Sequence, residues 1–298
     1  MEKDFTIGRS DFSLTVYVPW NCNNNCKFCS SKKDYNIIKS DFDKVKKELK
    51  KVRDSLIRIV VFTGGEPSAD VNKLKELIDI VDNKTVYINT TFPKMNSKEF
   101  VNLINNTDCI KGVSISRHLL TYEEDSLILK DICEDEKIAK IKKPVRINVV
   151  FNKENQFSIE NVKKYVNRWE RIRKMKSEDY HSLILNLRSN YVLQKKEDLH
   201  ELEKDKVIND LANNYFYHRH TFCNVCDTCI FYKMDGSKRE FEIDYHRGLL
   251  KTSIKFGNII EVNDLILLQN GKFCYDWDGS NDGISELLEL LELEKGSN

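Results

Sequence analysis

Residues 57–81, IRIVVFTGGEPSADVNKLKELIDIV, read as one β-then-α unit. IRIVVF is a β-branched run of the length of a buried strand, and TGGEP supplies the turn. Val71, Leu74, Leu77, Ile78 and Val81 then recur at helical spacing behind Asp70, a good N-cap, and paint one apolar stripe. The same alternation extends in both directions. Strand patterns occur at 12–18 (FSLTVYV), 85–90 (TVYINT), 112–116 (GVSIS), 145–151 (VRINVVF) and 182–188 (SLILNLR). Helical stripes follow at 41–54, 97–105, 122–133, 158–175 and 197–211. Six successive units predict an α/β fold with a parallel sheet curved into a partial (β/α)6 barrel, because right-handed crossovers keep winding it one way. Ligands of such sheets sit at the C-terminal strand ends.

From about residue 212 the pattern changes to shorter strand-like runs, so the chain divides into a core at 1–211 and a smaller β-containing, cysteine-rich extension at 212–298. Asn270-Gly271, between LILLQ and KFCYDW, predicts a two-residue type I′ hairpin that delivers Cys274 just after the turn. SELLELLELE near the end predicts a short packing helix.

With 298 residues the chain can bury a sizeable core without staples. Its 48 Lys and Arg against 47 Asp and Glu leave a net charge of +1, so no global field draws it to nucleic acid or to an anionic membrane. No apolar run approaches a membrane span, and MEKDFTIGRSD lacks the pattern of a signal peptide, which predicts a cytoplasmic protein. In that compartment clustered cysteines read as metal ligands rather than disulfides.

Six of the nine cysteines cluster. The first group, in WNCNNNCKFCS at 20–30, has Cys22, Cys26 and Cys29 at C-x3-C-x2-C directly after the first strand. Zinc would want four ligands, and no fourth Cys or His follows for many residues. Three thiolates can instead hold three irons of a [4Fe-4S] cube and leave the fourth open to another ligand. Gly64, Gly65 and Glu66 follow the second strand; the bland reading is a plain turn, the functional one a close backbone approach to a ligand and a carboxylate for an ammonium group. Asn89, Ser114, Ser116 and Arg117 end later strands, where strand-end capping competes with binding of a ribose or carboxylate.

CNNNCKFC resembles the C-x3-C-x-aromatic-C motif of the radical S-adenosylmethionine (radical SAM) enzymes, with Phe28 as the aromatic residue. The resemblance covers roughly residues 12–190. It implies that Cys22, Cys26 and Cys29 ligate the cube, that S-adenosylmethionine chelates the open iron, and that an electron donor such as a flavodoxin or ferredoxin reduces it. Gly64, Gly65 and Glu66 then match the residues that bind the methionine amino group. Ser116 and Arg117 match the polar position after the fourth strand, Asn89 joins them, and Asn148 in RINVVFN corresponds to a further cofactor contact. The implied chemistry is reductive cleavage to a 5′-deoxyadenosyl radical that abstracts hydrogen from a substrate, whether peptide, nucleotide or other small molecule, in an oxygen-sensitive enzyme.

The second group, Cys223, Cys226 and Cys229 at C-x2-C-x2-C, resembles the SPASM and twitch extensions of that superfamily, which hold auxiliary [4Fe-4S] clusters. With Cys274 as a fourth ligand the cluster is closed, for structure or electron transfer; three cysteines alone leave an iron open for substrate, and zinc is the alternative metal. His218 and His220 read as exposed residues, and Cys109 and Cys133 as small buried hydrophobes. The basic segment 163–176 offers a phosphate contact or a solvated face. It keeps nucleic acid among the partner classes, and a noncatalytic zinc or iron-sulfur module is the competing reading.

Overall fold

The computed structural model describes residues 4–7, 12–24, 26, 29, 37–151, 157–188, 201–222, 227–246, 253–276 and 279–293. The chain begins β1 (Asp4–Ile7), β2 (Ser13–Val18), α1 (Phe42–Arg53), β3 (Ile59–Gly64), α2 (Val71–Ile80), β4 (Thr85–Thr90), α3 (Ser97–Asn106) and β5 (Ile110–Ser116). It continues α4 (Tyr122–Ile128), α5 (Asp135–Ile138), β6 (Val145–Val150), α6 (Ile159–Lys176), β7 (Leu183–Arg188) and α7 (Glu201–Ala212). The last part holds β8 (Phe216–Phe222), β9 (Asp227–Asp235), β10 (Lys238–His246), β11 (Ser253–Phe256), β12 (Ile259–Val262), β13 (Asp264–Leu267), β14 (Phe273–Cys274) and α8 (Ile284–Leu290).

The six expected strands, β2 to β7, lie side by side in sequence order and pair in parallel, the arrangement of a partial (β/α)6 barrel. Their alternation separates two faces. Leu14, Val16, Val60, Phe62, Val86, Ile88, Val113, Ile115, Ile147, Val149, Leu185 and Leu187 are buried in the main core with apolar residues of α1, α2, α3 and α6. The opposite face carries the polar residues Thr15, Thr63, Asn89, Ser114, Ser116, Asn148 and Asn186 beside apolar ones such as Tyr17, Val61 and Ile184. Helix entries follow the sequence: the Asp70 carboxylate accepts the Lys73 amide at 3.0 Å, and Thr121 with Glu124 forms a capping box.

Three expectations need correction. The extension is less an appendage than a pair of flanks. β10 pairs in parallel with β7 at one edge of the core sheet, and β13 pairs in parallel with β2 at the other. The full order is β14-β13-β2-β3-β4-β5-β6-β7-β10-β9-β8, while β1 pairs with β12 in a separate three-stranded sheet. The boundary at 211/212 is therefore crossed by strand pairing at three places. Second, the helix expected over 122–133 stops at Ile128, because Leu129 is extended and Asp131 takes a left-handed φ of 56°. Third, the hairpin at 268–272 closes with a three-residue loop: Leu268 donates to the Lys272 carbonyl at 2.9 Å and Gly271 to the Leu268 carbonyl at 2.9 Å, with Gly271 at φ 78°. That is a turn with the glycine as its left-handed last residue, rather than a type I′ pair.

Candidate cofactor and metal site

The loop after β2 is docked on the glycines after β3. Gly64 ends its strand at φ 78°, which only glycine takes without strain. Gly65 answers to a different need: a Cβ there would lie 2.0 Å from the Trp20 carbonyl oxygen. Trp20 completes the contact by donating its indole N–H to the Glu66 carbonyl at 2.8 Å. Asn24 ties the loop at a second point. Its amide donates to Thr91 Oγ1 at 3.2 Å, its side-chain oxygen accepts the Lys130 amide at 2.5 Å, and its own N–H approaches Cys22 Sγ at 3.4 Å.

Cys22 and Cys26 are half-buried and Cys29 is exposed; Cys29 donates its N–H to the Cys26 carbonyl at 3.2 Å, a turn that keeps these two together. Burial pushes the Cys22 thiol above its ordinary value; the Asn24 amide opposes that, and Glu66 and Cys29 add to it. Among the described residues no three ligating side chains converge on the position of a single metal ion. A cube takes each thiolate at a different iron, so its ligands need not converge. The donor set, three soft thiolates on one docked loop, therefore fits an iron-sulfur cube better than a mononuclear ion. Phe28 lies outside the described residues.

Glu66 is tied into the ends of two strands. Its carboxylate is buried, and it accepts from the Ser68 amide at 3.1 Å, the Ser68 hydroxyl at 2.7 Å and the Thr90 hydroxyl. The Thr91 amide and hydroxyl, each at 2.7 Å, occupy the other oxygen. Two backbone amides and three rotatable hydroxyls thus meet the two carboxylate oxygens. Through them Glu66 clamps the ends of β3 and β4 together and fixes the backbone of Gly64 and Gly65.

Arg117 is also engaged within the protein. It is fully buried, donating to the carbonyls of Thr91 at 2.7 Å, Ser116 at 2.8 Å and Cys133 at 2.9 Å, and lies 3.6 Å from Asp135. Arg168 reaches the same knot with hydrogen bonds to Asp135 at 2.7 and 3.0 Å, Asp125 at 2.9 Å and the Leu119 carbonyl at 2.8 Å. These charges brace the 117–135 segment that holds Asn24.

Asn89, Ser116 and Asn148 do come together. Asn89 stands opposite Ser114 and Ser116 opposite Asn148, all on the polar face near the C-terminal strand ends. Asn186 joins them: it is buried and donates its amide to Asn148 Oδ1 at 2.6 Å. A polar residue in the alternation of LILNLR is the signal that could have found it.

Of the second cysteine group, Cys223 and Cys226 lie outside the described residues. Cys229 is 1 % exposed, opposite Tyr245, which is opposite Leu187, and belongs to the helix-side core. Cys274 is opposite Ile266, itself opposite Thr15, and packs with Tyr17 and Ile266 on the other face. Eight strands separate β14 from β9 in the sheet, and Cys229 and Cys274 belong to different buried clusters. Cys109 and Cys133 are buried, as small hydrophobes.

The basic segment 163–176 is largely committed within the chain. Arg171 pairs with Glu136 at 2.8 Å, Lys174 with Glu170 at 3.1 Å and Lys163 with Glu160 at 3.3 Å. Arg173 is buried and Arg168 largely covered, whereas Lys163, Arg171 and Lys174 stay about half exposed in their pairs. No helix among the described residues is long and apolar enough to cross a membrane.

A sequence model of the Radical SAM superfamily matches residues 18–205. The structure is similar to that of Streptococcus suis SuiB bound to precursor peptide SuiA, with a TM-score of 0.61 and 14% identity over 92% of this chain and 61% of that one. It is also similar to SuiB bound to S-adenosylmethionine, with a TM-score of 0.57 and 15% identity over 88% and 60%. At such identities the likeness is one of fold, and this chain spans about three fifths of SuiB's length. No curated protein sequence matches the chain.

Proposed function

The chain belongs to the radical SAM superfamily, and from that membership we propose that it cleaves S-adenosylmethionine reductively and uses the resulting 5′-deoxyadenosyl radical to take hydrogen from a substrate. When bound, a reduced [4Fe-4S] cube beside a sulfonium supplies the one electron that breaks the C–S bond. The observation that carries the reading is the seating of the Cys22/Cys26/Cys29 loop on Gly65, at the end of a parallel sheet where such folds place their ligands.

The chain's own residues have the following parts. Cys22, Cys26 and Cys29 hold the cube, and Trp20 and Asn24 keep their loop in register. Gly64 and Gly65 bring backbone close to the methionine end of the cofactor, and Glu66 positions them. Asn89, Ser116 and Asn148 line the polar face where the nucleoside would lie. Cys223, Cys226 and Cys229 are the ligands we assign to an auxiliary cluster.

We place the protein in the reducing cytosol, drawing its electron from a small redox protein such as a flavodoxin or ferredoxin. The substrate is a peptide or another small molecule; SuiB, of the same fold, binds a precursor peptide. Cys26→Ala tests the assignment. Anaerobically prepared wild-type protein should carry about eight irons and little zinc, whereas the variant should lose about half of the iron and all 5′-deoxyadenosine formation. Zinc in place of iron at both cysteine groups would support the noncatalytic module instead.

A further inference from the structure

β10 of the extension adds its own residues to the polar face, and they are short of partners. Asp244 stands opposite Asn186 in β7, which stands opposite Asn148 in β6. Asn186 is 1 % and Asp244 4 % exposed. Asn186 spends its amide on Asn148, but its Oδ1 has no hydrogen-bond partner, and neither has Oδ1 of Asp244. Both orphaned atoms are acceptors on neighbouring strands at one register. Unmet buried acceptors are costly, about 1–3 kcal/mol each and more when charged, so both atoms are open to a donor from outside the chain.

The charges nearby specify which donor. Asp244 Oδ2 has one loose ion pair, with Arg146 Nη2 at 3.5 Å, and the Arg146 side chain is 45 % exposed. Glu242, two residues earlier on the same face, meets the Asp244 carboxyl and lies 2.8 Å from His181 Nδ1 through Oε2, which has no hydrogen bond of good geometry. His246, two residues later, donates to or accepts from Thr228 at 2.9 Å, and burial beside Arg188 and Arg146 pushes it down to about 2, so it is neutral. Burial pushes Asp244 up to about 6, with Arg146 and Arg219 opposing the rise and Glu242 adding to it. A half-paired buried carboxylate next to a free amide oxygen suits a cation with several N–H donors.

We propose that Asn186 and Asp244 form a subsite for a primary ammonium group of the substrate. This rests on the reading of the polar face as the side where substrate meets the cofactor. The extension thereby contributes to substrate selection through β10 as well as to cluster binding. Arg146 is the residue that the incoming ammonium displaces from Asp244.

Binding of butylammonium to the anaerobically reconstituted full chain at about pH 8, followed by titration calorimetry without reductant, tests this independently of radical chemistry. The wild type should bind butylammonium saturably and butyrate not at all. Asp244→Asn and Asn186→Leu should each weaken binding about tenfold, and Arg146→Gln, at a partly exposed position, should tighten it about threefold by removing the competitor. Absence of saturable binding, unchanged affinity in Asp244→Asn, weaker binding in Arg146→Gln, or preference for butyrate would each overturn the subsite while leaving the cleavage of S-adenosylmethionine untouched.

Discussion

Gly65→Ala is expected to unseat the cysteine loop and lower the rate of S-adenosylmethionine cleavage about 100-fold or more. The new methyl would lie 2.0 Å from the Trp20 carbonyl oxygen and 3.1–3.2 Å from backbone carbons of Trp20 and Asn21. These are main-chain atoms, so no rotamer change relieves the clash, and the loop must retreat by more than an ångström. Trp20 would then lose its 2.8 Å hydrogen bond to Glu66, and Cys22, two residues on, would move with it. A misplacement of about 1 Å is enough to cost about 10²-fold in a positioned reaction. Overpacking should also cost about 1–3 kcal/mol of stability. Iron content and 5′-deoxyadenosine formation in the folded variant check this; full iron with a full rate would mean that the loop does not depend on Gly65.

Arg168→Met should destabilise the fold by about 3–5 kcal/mol, a large share of the roughly 5–15 kcal/mol that holds a domain together. Asp125 is fully buried and Asp135 nearly so, and Arg168 is the cation hydrogen-bonded to both. Methionine keeps much of the volume but leaves two carboxylates in a poorly solvated site. The backbone amides of His118 and Leu119, at 2.6 and 2.9 Å from Asp125, satisfy only one of its oxygens. Burial already holds the Asp125 carboxyl above the ordinary carboxylate range, against the pull of Arg168. Without the arginine it should rise further. A carboxyl whose folded value is raised loses stability as pH climbs from its unfolded to its folded value. The deficit should therefore shrink in acid, where a protonated Asp125 needs no cation, and be full at neutral pH. Urea unfolding at several pH values measures both; a loss below about 1 kcal/mol would show that the knot is not needed. Because Arg117 and Thr91 connect this knot to Glu66, the variant should also loosen the site.

The core strands were legible because each is a β-branched run closed by local turn chemistry, and helix starts such as Asp70 carry their own cap. The edges of the sheet were not. Nothing within FEIDYH or DLIL tells which distant strand it will pair with, and the choice of β7 and β2 is a tertiary fact. The cysteine loop and the two glycines were readable from spacing. The task of Glu66 was not, since it depends on Ser68, Thr90 and Thr91, two of them 24 and 25 residues away. Arg117 looks like a ligand at a strand end until Asp135 and Arg168 are brought to it. Asn270-Gly271 suggested a two-residue turn because that pair favours left-handed backbone; the chain uses only the glycine for it. Asn186 and Asp244 were within reach, as polar residues recurring on one face of otherwise apolar strands.

The central claim is that this chain breaks the C–S bond of S-adenosylmethionine at the Cys22/Cys26/Cys29 loop. Its most direct test is to reconstitute the protein anaerobically, add S-adenosylmethionine and dithionite, and quantify 5′-deoxyadenosine and methionine. The account predicts both products in equal amounts, slowly formed without substrate and absent in Cys26→Ala. An iron-loaded protein that binds S-adenosylmethionine yet leaves it intact under reduction would contradict it.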